Sequence, residues 1–241
     1  MSRRRGLPFL LLGPAEGAGP LDQWSVVQLP TSLAVQRAAK RGLDVVVSLT
    51  LLLSLVPVLA VIALVIWLDP ASPGSVVFHQ MRLGKDGRPF RLYKFRTMVR
   101  DADAAIHRAY YRQLINGEAE RIAGTFKLAR DPRITRVGHV LRRFSLDELP
   151  QLWNVLKGDM SLVGPRPPIP YEAELYGPRE RRRLEVAPGL TGLWQISGRN
   201  CLDFQQMIEL DLRYIEEWSI WLDLAILVRT PWVVLRGEGA C

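Results

Sequence analysis

The sequence predicts an α+β protein: a mostly helical domain with a short β-hairpin, joined to a re-entrant membrane helix broken at Pro57 and to interfacial amphipathic helices. Three observations carry this expectation. The run from Val45 to Trp67 has no ionisable side chain, and about 20 such residues are enough to span hydrocarbon as a helix. Pro57 falls inside that run, where its ring removes an amide donor and crowds the Leu53 carbonyl. Further on, two extended runs flank Gly84-Lys85-Asp86-Gly87, and the Asp-Gly pair marks a hairpin turn.

The chain has 241 residues, which a prior of about 150 residues per domain reads as one folded unit with a tail and an anchor. The expected divisions are a flexible tail over 1–35, a re-entrant anchor over 36–69 and a cytoplasmic domain over 70–241. The apolar stretch Leu7 to Leu12, after Arg3, Arg4 and Arg5, is too brief to span. A net charge of +8 and a pI near 9.9 suit nucleic acid, an anionic membrane or a polyphosphate substrate alike. No nucleic-acid recognition motif accompanies that charge, and such binding would be odd beside a membrane segment. Cys201 and Cys241 stand far apart without metal-ligand spacing, which predicts free thiols in a reducing compartment and a site facing the cytoplasm. His79, His107 and His139 show no ligand spacing either.

Arg37, Lys40 and Arg41 precede the apolar run, and a second set of lysines and arginines from Arg82 to Arg96 follows it. Both ends thus carry the basic excess of a cytoplasmic flank, which a hairpin that enters one leaflet and returns explains better than a crossing. Ser54, one turn ahead of Pro57, can bond a carbonyl freed by the break. Near the C-terminus, Trp218, Trp221 and Trp232 punctuate an apolar stretch interrupted by Asp223, Arg229 and Arg236. That pattern fits a helix lying in the interface with its charges in water, and it fits a core helix equally.

Asp69 to Gly74 reads as a linker. The hairpin, from Ser75 to Arg82 and from Pro89 to Phe95, feeds Lys94-Phe95-Arg96-Thr97-Met98. Lys94 and Arg96, at i and i+2 on a strand, share a side and can hold two oxygens of one phosphate. Ala102 to Leu114 has helical spacing, followed by a polar loop near Asn116-Gly117.

The most telling stretch is Arg142-Arg143-Phe144-Ser145-Leu146-Asp147-Glu148-Leu149-Pro150. Adjacent carboxylates beside guanidinium groups are what phosphoryl transfer from a diphosphate requires. Ser145 to Glu148 also matches a capping box, in which Glu148 would only cap a helix. Pro150 then falls slightly inside that helix, or is itself the first helical residue. Either reading places the acids at a helix N-terminus, where Arg142 and Arg143 keep a carboxylate ionised and attract phosphate. Asp147 is then the nucleophile, giving an acyl-phosphate, and Glu148 handles metal or proton. Asp159 is a second metal ligand or simply follows the end of a helix Leu152 to Leu156 at Gly158.

Pro165-Arg166-Pro167 fixes the backbone on both sides of Arg166, holding its guanidinium for a phosphate. Arg179, Arg181, Arg182 and Arg183 form a basic cluster whose default is a solvated or headgroup face. The loop from Pro188 to Arg199 can bring Gln195, Ser197 and Arg199 to a substrate, or be only turns.

Together these residues resemble the bacterial sugar transferase family, the monotopic polyprenyl-phosphate phosphoglycosyl transferases. The resemblance runs from about Lys40 to the C-terminus. It rests on Lys94 to Met98, Asp131-Pro132-Arg133-Ile134-Thr135, Ser145 to Gln151, Gly158 to Pro167 and Trp194 to Arg199. It implies a proline-broken re-entrant helix and a Mg2+-dependent acid dyad matching Asp147 and Glu148. The implied activity is transfer of sugar 1-phosphate from a UDP-sugar to undecaprenyl phosphate at the inner membrane, with membrane lipids as partners. A homo-oligomer is compatible with it. Larger relatives carry an extra transmembrane bundle ahead of this region, so a minimal catalytic form is expected here. Val56-Pro57 stands where small relatives often have Ser-Pro, and Cys241 where relatives commonly end in Tyr. A membrane scaffold without catalysis would need the charge but not Asp147.

Overall fold

Ser32 caps the first helix, its hydroxyl accepting from Val35 N at 3.4 Å. This computed structural model describes residues 32–71, 74–99, 105–115, 117–118, 131 and 133–236. Nearly all of the expected tail, together with Asn116, Pro132 and Cys241, lies outside the described residues, and of His107 only the backbone is described.

Helix α1, Leu33–Ser54, has two characters. Its first half carries charges that dock on the domain. Lys40 Nζ donates to Asp223 Oδ2 at 2.6 Å and to Val163 O at 3.0 Å, and Arg41 donates to Val155 O and Leu156 O, each at 2.7 Å. Asp44 Oδ1 accepts from Ser161 Oγ at 3.0 Å and Leu162 N at 2.9 Å. Its second half exposes Val46, Leu49 and Leu53. At Leu55 the helix breaks, and α2, Val56–Leu68, leaves at 62°. Pro57 sits in the first turn of α2, where a missing N–H breaks no helical bond, and Ser54 Oγ donates to Leu51 O at 3.2 Å. The expected break is therefore present, just ahead of the proline. No single helix among the described residues is long and apolar enough to cross a membrane, whereas this bent pair is by length and composition.

The hairpin pairs β1, Val77–Leu83, with β2, Pro89–Phe95, antiparallel, Val77 opposite Phe95 and Leu83 opposite Pro89. Its turn is a single 3-10 turn, Lys85–Gly87, with Asp86 and Gly87 left-handed at φ 57° and 72°. Then come α3, Ala105–Ile115, α4, Arg136–Arg143, and α5, Gln151–Lys157. Strand β3, Ser161–Val163, precedes two short helices, α6, Pro170–Ala173, and α7, Pro178–Arg181. Strand β4, Gly189–Thr191, runs parallel to β3. A Cβ on Gly189 would fall 2.0 Å from Gly164 N, and one on Gly164 2.5 Å from Ala187 O, so this close approach of backbones needs glycine at both positions. The described residues end in α8, Leu193–Ile196, α9, Phe204–Glu216, and α10, Ile220–Arg236.

The main core joins α5, β3, α9 and α10 through Leu152, Val155, Leu162, Leu210, Leu222 and Ile226. A second cluster seats α3 on α9 through Tyr111, Phe204 and Ile208. A third sets Ile62 and Ile66 of α2 against Phe95 and Leu141.

Two readings are decided here. Of the two open for the Trp-rich stretch, the core helix holds for its first half: Asp223 is not in water but 1% exposed, because it receives Lys40, Tyr214 OH at 2.8 Å and Trp218 Nε1 at 3.2 Å. The first half of α10 is thus core, and only its second half exposes Val228, Trp232 and Leu235. Arg183 leaves the supposed solvated cluster. It is buried, paired with Asp211 at 2.7 Å and donating to Tyr176 OH at 2.8 Å, so one arginine of the four serves the interior.

Candidate active site

The site grows from the end of β2. Thr135 N donates to Thr97 O at 3.0 Å, Val99 N donates to Arg133 O at 2.8 Å, and Met98 bridges Ile134. The motifs Lys94 to Met98 and Asp131 to Thr135 are therefore one structural joint. Arg133 grips Asp131 by two side-chain bonds, Nη2–Oδ2 at 2.6 Å and Nε–Oδ1 at 2.8 Å. These bonds, against burial, hold the Asp131 carboxyl below the usual carboxylate range. Thr135 Oγ1 caps α4 by accepting from Gly138 N at 2.9 Å. Helix and strand touch so closely that a Cβ on Gly138 would lie 2.1 Å from Thr97 O.

Arg142, in the last turn of α4, donates from Nε to Thr97 Oγ1 at 2.9 Å. The chain then reverses through Ser145, left-handed at φ 53°, into a 3-10 turn over Leu146–Glu148. A left-handed non-glycine residue is strained, and here it aims the acid pair. The capping-box alternative fails: the Ser145 side chain makes no cap bond, and the Glu148 carboxylate goes instead to Lys94 Nζ at 2.7 Å. Pro150 stands immediately before α5.

The two acids have unequal surroundings. Asp147 is 7% exposed. Burial raises its pKa, and neighbouring Glu148 adds to that, against the opposing pull of Lys94 and Arg142. Burial pushes Glu148 up as well, but Lys94, Arg166 and Arg199 more than reverse it, leaving its pKa below the ordinary value. The expectation that basic neighbours favour ionisation thus holds for Glu148, whereas at Asp147 desolvation outweighs them. Acids pushed apart in this way suit different roles.

Arg199 is left-handed at φ 48° and its charge acts on Glu148. Arg166, between its prolines, lies 3.4 Å from Glu172 Oε2 and also acts on Glu148. Lys94, Arg142, Arg166 and Arg199 therefore surround the pair electrostatically. Arg143 is exposed and lies 5.6 Å over the Phe144 ring, and the Arg96 guanidinium lies beside Gly74. The structure sets Asp159 at the opposite end of α5 from the dyad. Its Oδ2 accepts from Lys157 Nζ at 2.9 Å and Asn154 Nδ2 at 3.2 Å, beyond Gly158, which ends the helix at φ 88°. Gln195, on α8, has a buried Oε1 without a partner, and Ser197, just past the helix, donates from Oγ back to Leu193 O at 2.7 Å.

Sequence reasoning missed several supporting residues. Arg82, counted there only as a flanking charge, is buried and donates to Pro167 O at 3.0 Å and Gln80 Oε1 at 2.9 Å, with its Nε unpartnered. Burial lowers its pKa to about 10. Glu172, fully buried, accepts from Ile169 N at 2.9 Å and lies between Arg166 and Arg82. Asn154 pins α5 to β2, accepting from Tyr93 N at 3.1 Å and donating to Arg91 O at 2.7 Å. Glu172 and Glu174 both follow the arginine-proline motif within a few residues, so nothing local singled out Glu172, and a single Asn inside a short helix gave no signal either.

Asp147 and Glu148 offer hard carboxylate oxygens, the donors Mg2+ prefers. No group of three His, Cys, Asp or Glu side chains converges among the described residues. The pair alone suits an ion that takes one or two carboxylates and completes its shell with substrate phosphates and water.

An acid pair of divided acidity lies within a ring of basic side chains, beside an apolar bent helix pair. Residues 35–237 match the bacterial sugar transferase family, and the chain belongs to it. It is 51% identical over 168 residues to galactosyl transferase CpsE of Streptococcus agalactiae, covering 69% of this chain and 36% of that protein. It is 42% identical over 206 residues to the undecaprenyl-phosphate galactose phosphotransferase of Salmonella typhimurium, covering 85% and 42%. Exopolysaccharide production protein ExoY of Rhizobium meliloti is 43% identical over 204 residues, covering 84% and 88%. The chain thus spans less than half of the first two relatives and most of the third.

Proposed function

We propose that this chain transfers sugar 1-phosphate from a UDP-sugar to undecaprenyl phosphate at the cytoplasmic face of the bacterial inner membrane, starting a lipid-linked exopolysaccharide or other glycan. The observation that carries the reading is the Asp147–Glu148 pair, split in acidity, with Glu148 bonded to Lys94 at 2.7 Å.

A carboxylate oxygen of Asp147 attacks the phosphorus that bears the sugar. The bond from that phosphorus to the bridging oxygen breaks, and UMP leaves with the bridging oxygen as part of its phosphate. Lys94, Arg142, Arg166 and Arg199 hold the phosphate oxygens and reduce the repulsion an anionic nucleophile meets. An oxygen of undecaprenyl phosphate then attacks the same phosphorus, and the Asp147 carboxylate is released. Glu148, kept ionised, with Asp147 would hold Mg2+, which supplies charge neutralisation to the diphosphate. Glu172 fixes Arg166 and Arg82, so their guanidinium groups need little reorganisation.

The test is UMP release from UDP-glucose, UDP-galactose and UDP-N-acetylhexosamines by detergent-solubilised protein with Mg2+ and undecaprenyl phosphate, beside Asp147→Asn. Release from one donor that vanishes in the variant is expected. Release that survives Asp147→Asn would remove the nucleophile assignment, and a scaffold would bind anionic membranes equally with either side chain.

A further inference from the structure

An open groove of about 210 Å³ lies between α2 and α4, lined by Val61, Ile62 and Val65 from one helix and Val137, Val140 and Leu141 from the other, with no polar surface. We propose that this groove holds the phosphate-proximal isoprene units of the polyprenyl acceptor, a subsite that measures the lipid by its branched chain. The inference rests on the function proposed above and names where its acceptor lies.

Continuity with the acid pair supports that occupant. Leu141 lines the groove and Arg142, the next residue, bonds Thr97 and bears on Asp147. Leu146 and Leu149 bracket the dyad and pack on the cluster of Ile62, Ile66, Phe95 and Leu141, of which Ile62 and Leu141 line the groove. Phe95 joins that cluster while Lys94, before it, reaches Glu148. On three separate segments a residue of the phosphate site therefore adjoins a residue of the apolar cluster. A molecule with an anionic head at the dyad would lay its hydrocarbon tail on that cluster, which Leu146 and Leu149, flanking the dyad, share with Ile62 and Leu141 of the groove.

Size and shape agree. About 150 Å³ of apolar cavity admits a six-carbon ring, so this groove admits about one or two five-carbon isoprene units. Its walls are mostly β-branched side chains whose stiff χ1 angles make a fixed surface for methyl branches. Val61, Val65 and Val140 stay partly open to the outside, on the bent pair that fits a bilayer by length and composition, so the rest of a long chain can pass into lipid.

Farnesyl phosphate carrying a diazirine in its first isoprene unit is photolysed with the full-length wild-type protein in nanodiscs, and adducts are mapped by mass spectrometry. Adducts on 61–65 and 137–141, displaced by undecaprenyl phosphate and not by phosphatidylglycerol, are expected. Adducts elsewhere, or equal displacement by phosphatidylglycerol, would overturn the subsite, the latter by making the groove a site for bilayer lipid. In parallel, Val61→Phe and Val137→Phe should raise KM for undecaprenyl phosphate at least tenfold while a single turnover of UMP release without acceptor persists. An unchanged KM in both filled variants would also sink the proposal. If wild-type protein releases no UMP from any donor, the transferase reading fails, yet the adduct map still reports on the groove.

Discussion

Replacing Lys94 with methionine tests whether its ammonium sets the ionisation of the acid pair. Lys94 Nζ lies 2.7 Å from Glu148 Oε1, with the side chains 26% and 36% exposed. At an effective dielectric constant near 20 the gross attraction over that distance is about 6 kcal/mol. With over a third of the glutamate in solvent, screening reduces the useful part to about 1 kcal/mol, or about 0.7 of a pKa unit. Lys94 also lowers Asp147, so both carboxyls titrate higher in Lys94→Met. The sign follows: a raised acid pKa leaves less carboxylate at a given low pH, so the acid limb of the rate moves upward. UMP release measured from pH 4.5 to 8.5 should show that limb displaced by about 0.5–1 unit, the ratio of wild-type to variant rates shrinking as pH rises. A ratio constant across the range would show that Lys94 acts only by binding phosphate and would refute the ionisation argument.

Three further results are expected. Gly138→Ala puts a Cβ 2.1 Å from Thr97 O, so α4 must move off the strand; overpacking should lower stability by about 1–3 kcal/mol, and UMP release should fall further than the melting shift accounts for because Arg142 loses Thr97. Arg183→Met strands the buried Asp211 carboxylate, which lies 2.7 Å from Arg183, and should cost about 3–5 kcal/mol in denaturant unfolding. Asp211 has its pKa raised to about 6 by burial; the folded state therefore binds its proton more tightly, and its contribution to stability declines as pH rises from the ordinary carboxylate range to about 6. Asp211→Asn should remove that segment of the pH dependence, up to about 3 kcal/mol, and identical stability–pH curves for the two proteins would refute the assignment.

How legible the site was in the sequence depended on range. The hairpin turn, the break ahead of Pro57 and the end of α5 at Gly158 are local events of backbone geometry, written in Asp-Gly, Pro and Gly. The acid pair was visible because its chemistry is rare in adjacent positions. What stayed hidden needed tertiary contacts. Lys40 meets Asp223 and Arg82 meets the Pro167 carbonyl across most of the fold, and no local pattern separates such arginines and lysines from solvated ones. The same limit explains Arg183, grouped with three arginine neighbours by sequence and separated from them by burial. Ser145 shows a different failure: the capping-box pattern was present, but its left-handed backbone turned the Glu148 side chain to Lys94.

What each end of the bent apolar pair touches bears on whether it crosses a bilayer or enters and returns. The start of α1 is tied to the domain by Lys40, Arg41 and Asp44, and the second half of α2 returns to it through Ile62 and Ile66, packed against Phe95 and Leu141. With both ends bound to one body, the apolar middle around Leu55 has to leave it and come back. On its own α2 has 13 residues, about 20 Å of helix, short of the roughly 30 Å a crossing requires, so a crossing would need the apolar half of α1 as well and would part α2 from its contacts on the domain. Two ends on one body fit entry into one leaflet and return, and under the function proposed above that path would hold the acid pair at the headgroup plane, within reach of a lipid phosphate. Single cysteines replacing Val35 and Leu68, both exposed, in a protein whose Cys201 and Cys241 are changed to Ser, should react with a membrane-impermeant maleimide from the same side in inside-out vesicles. Labelling of the two from opposite sides would mean that the pair crosses, and would require the contacts of Ile62 and Ile66 with Phe95 and Leu141 to be broken in the membrane.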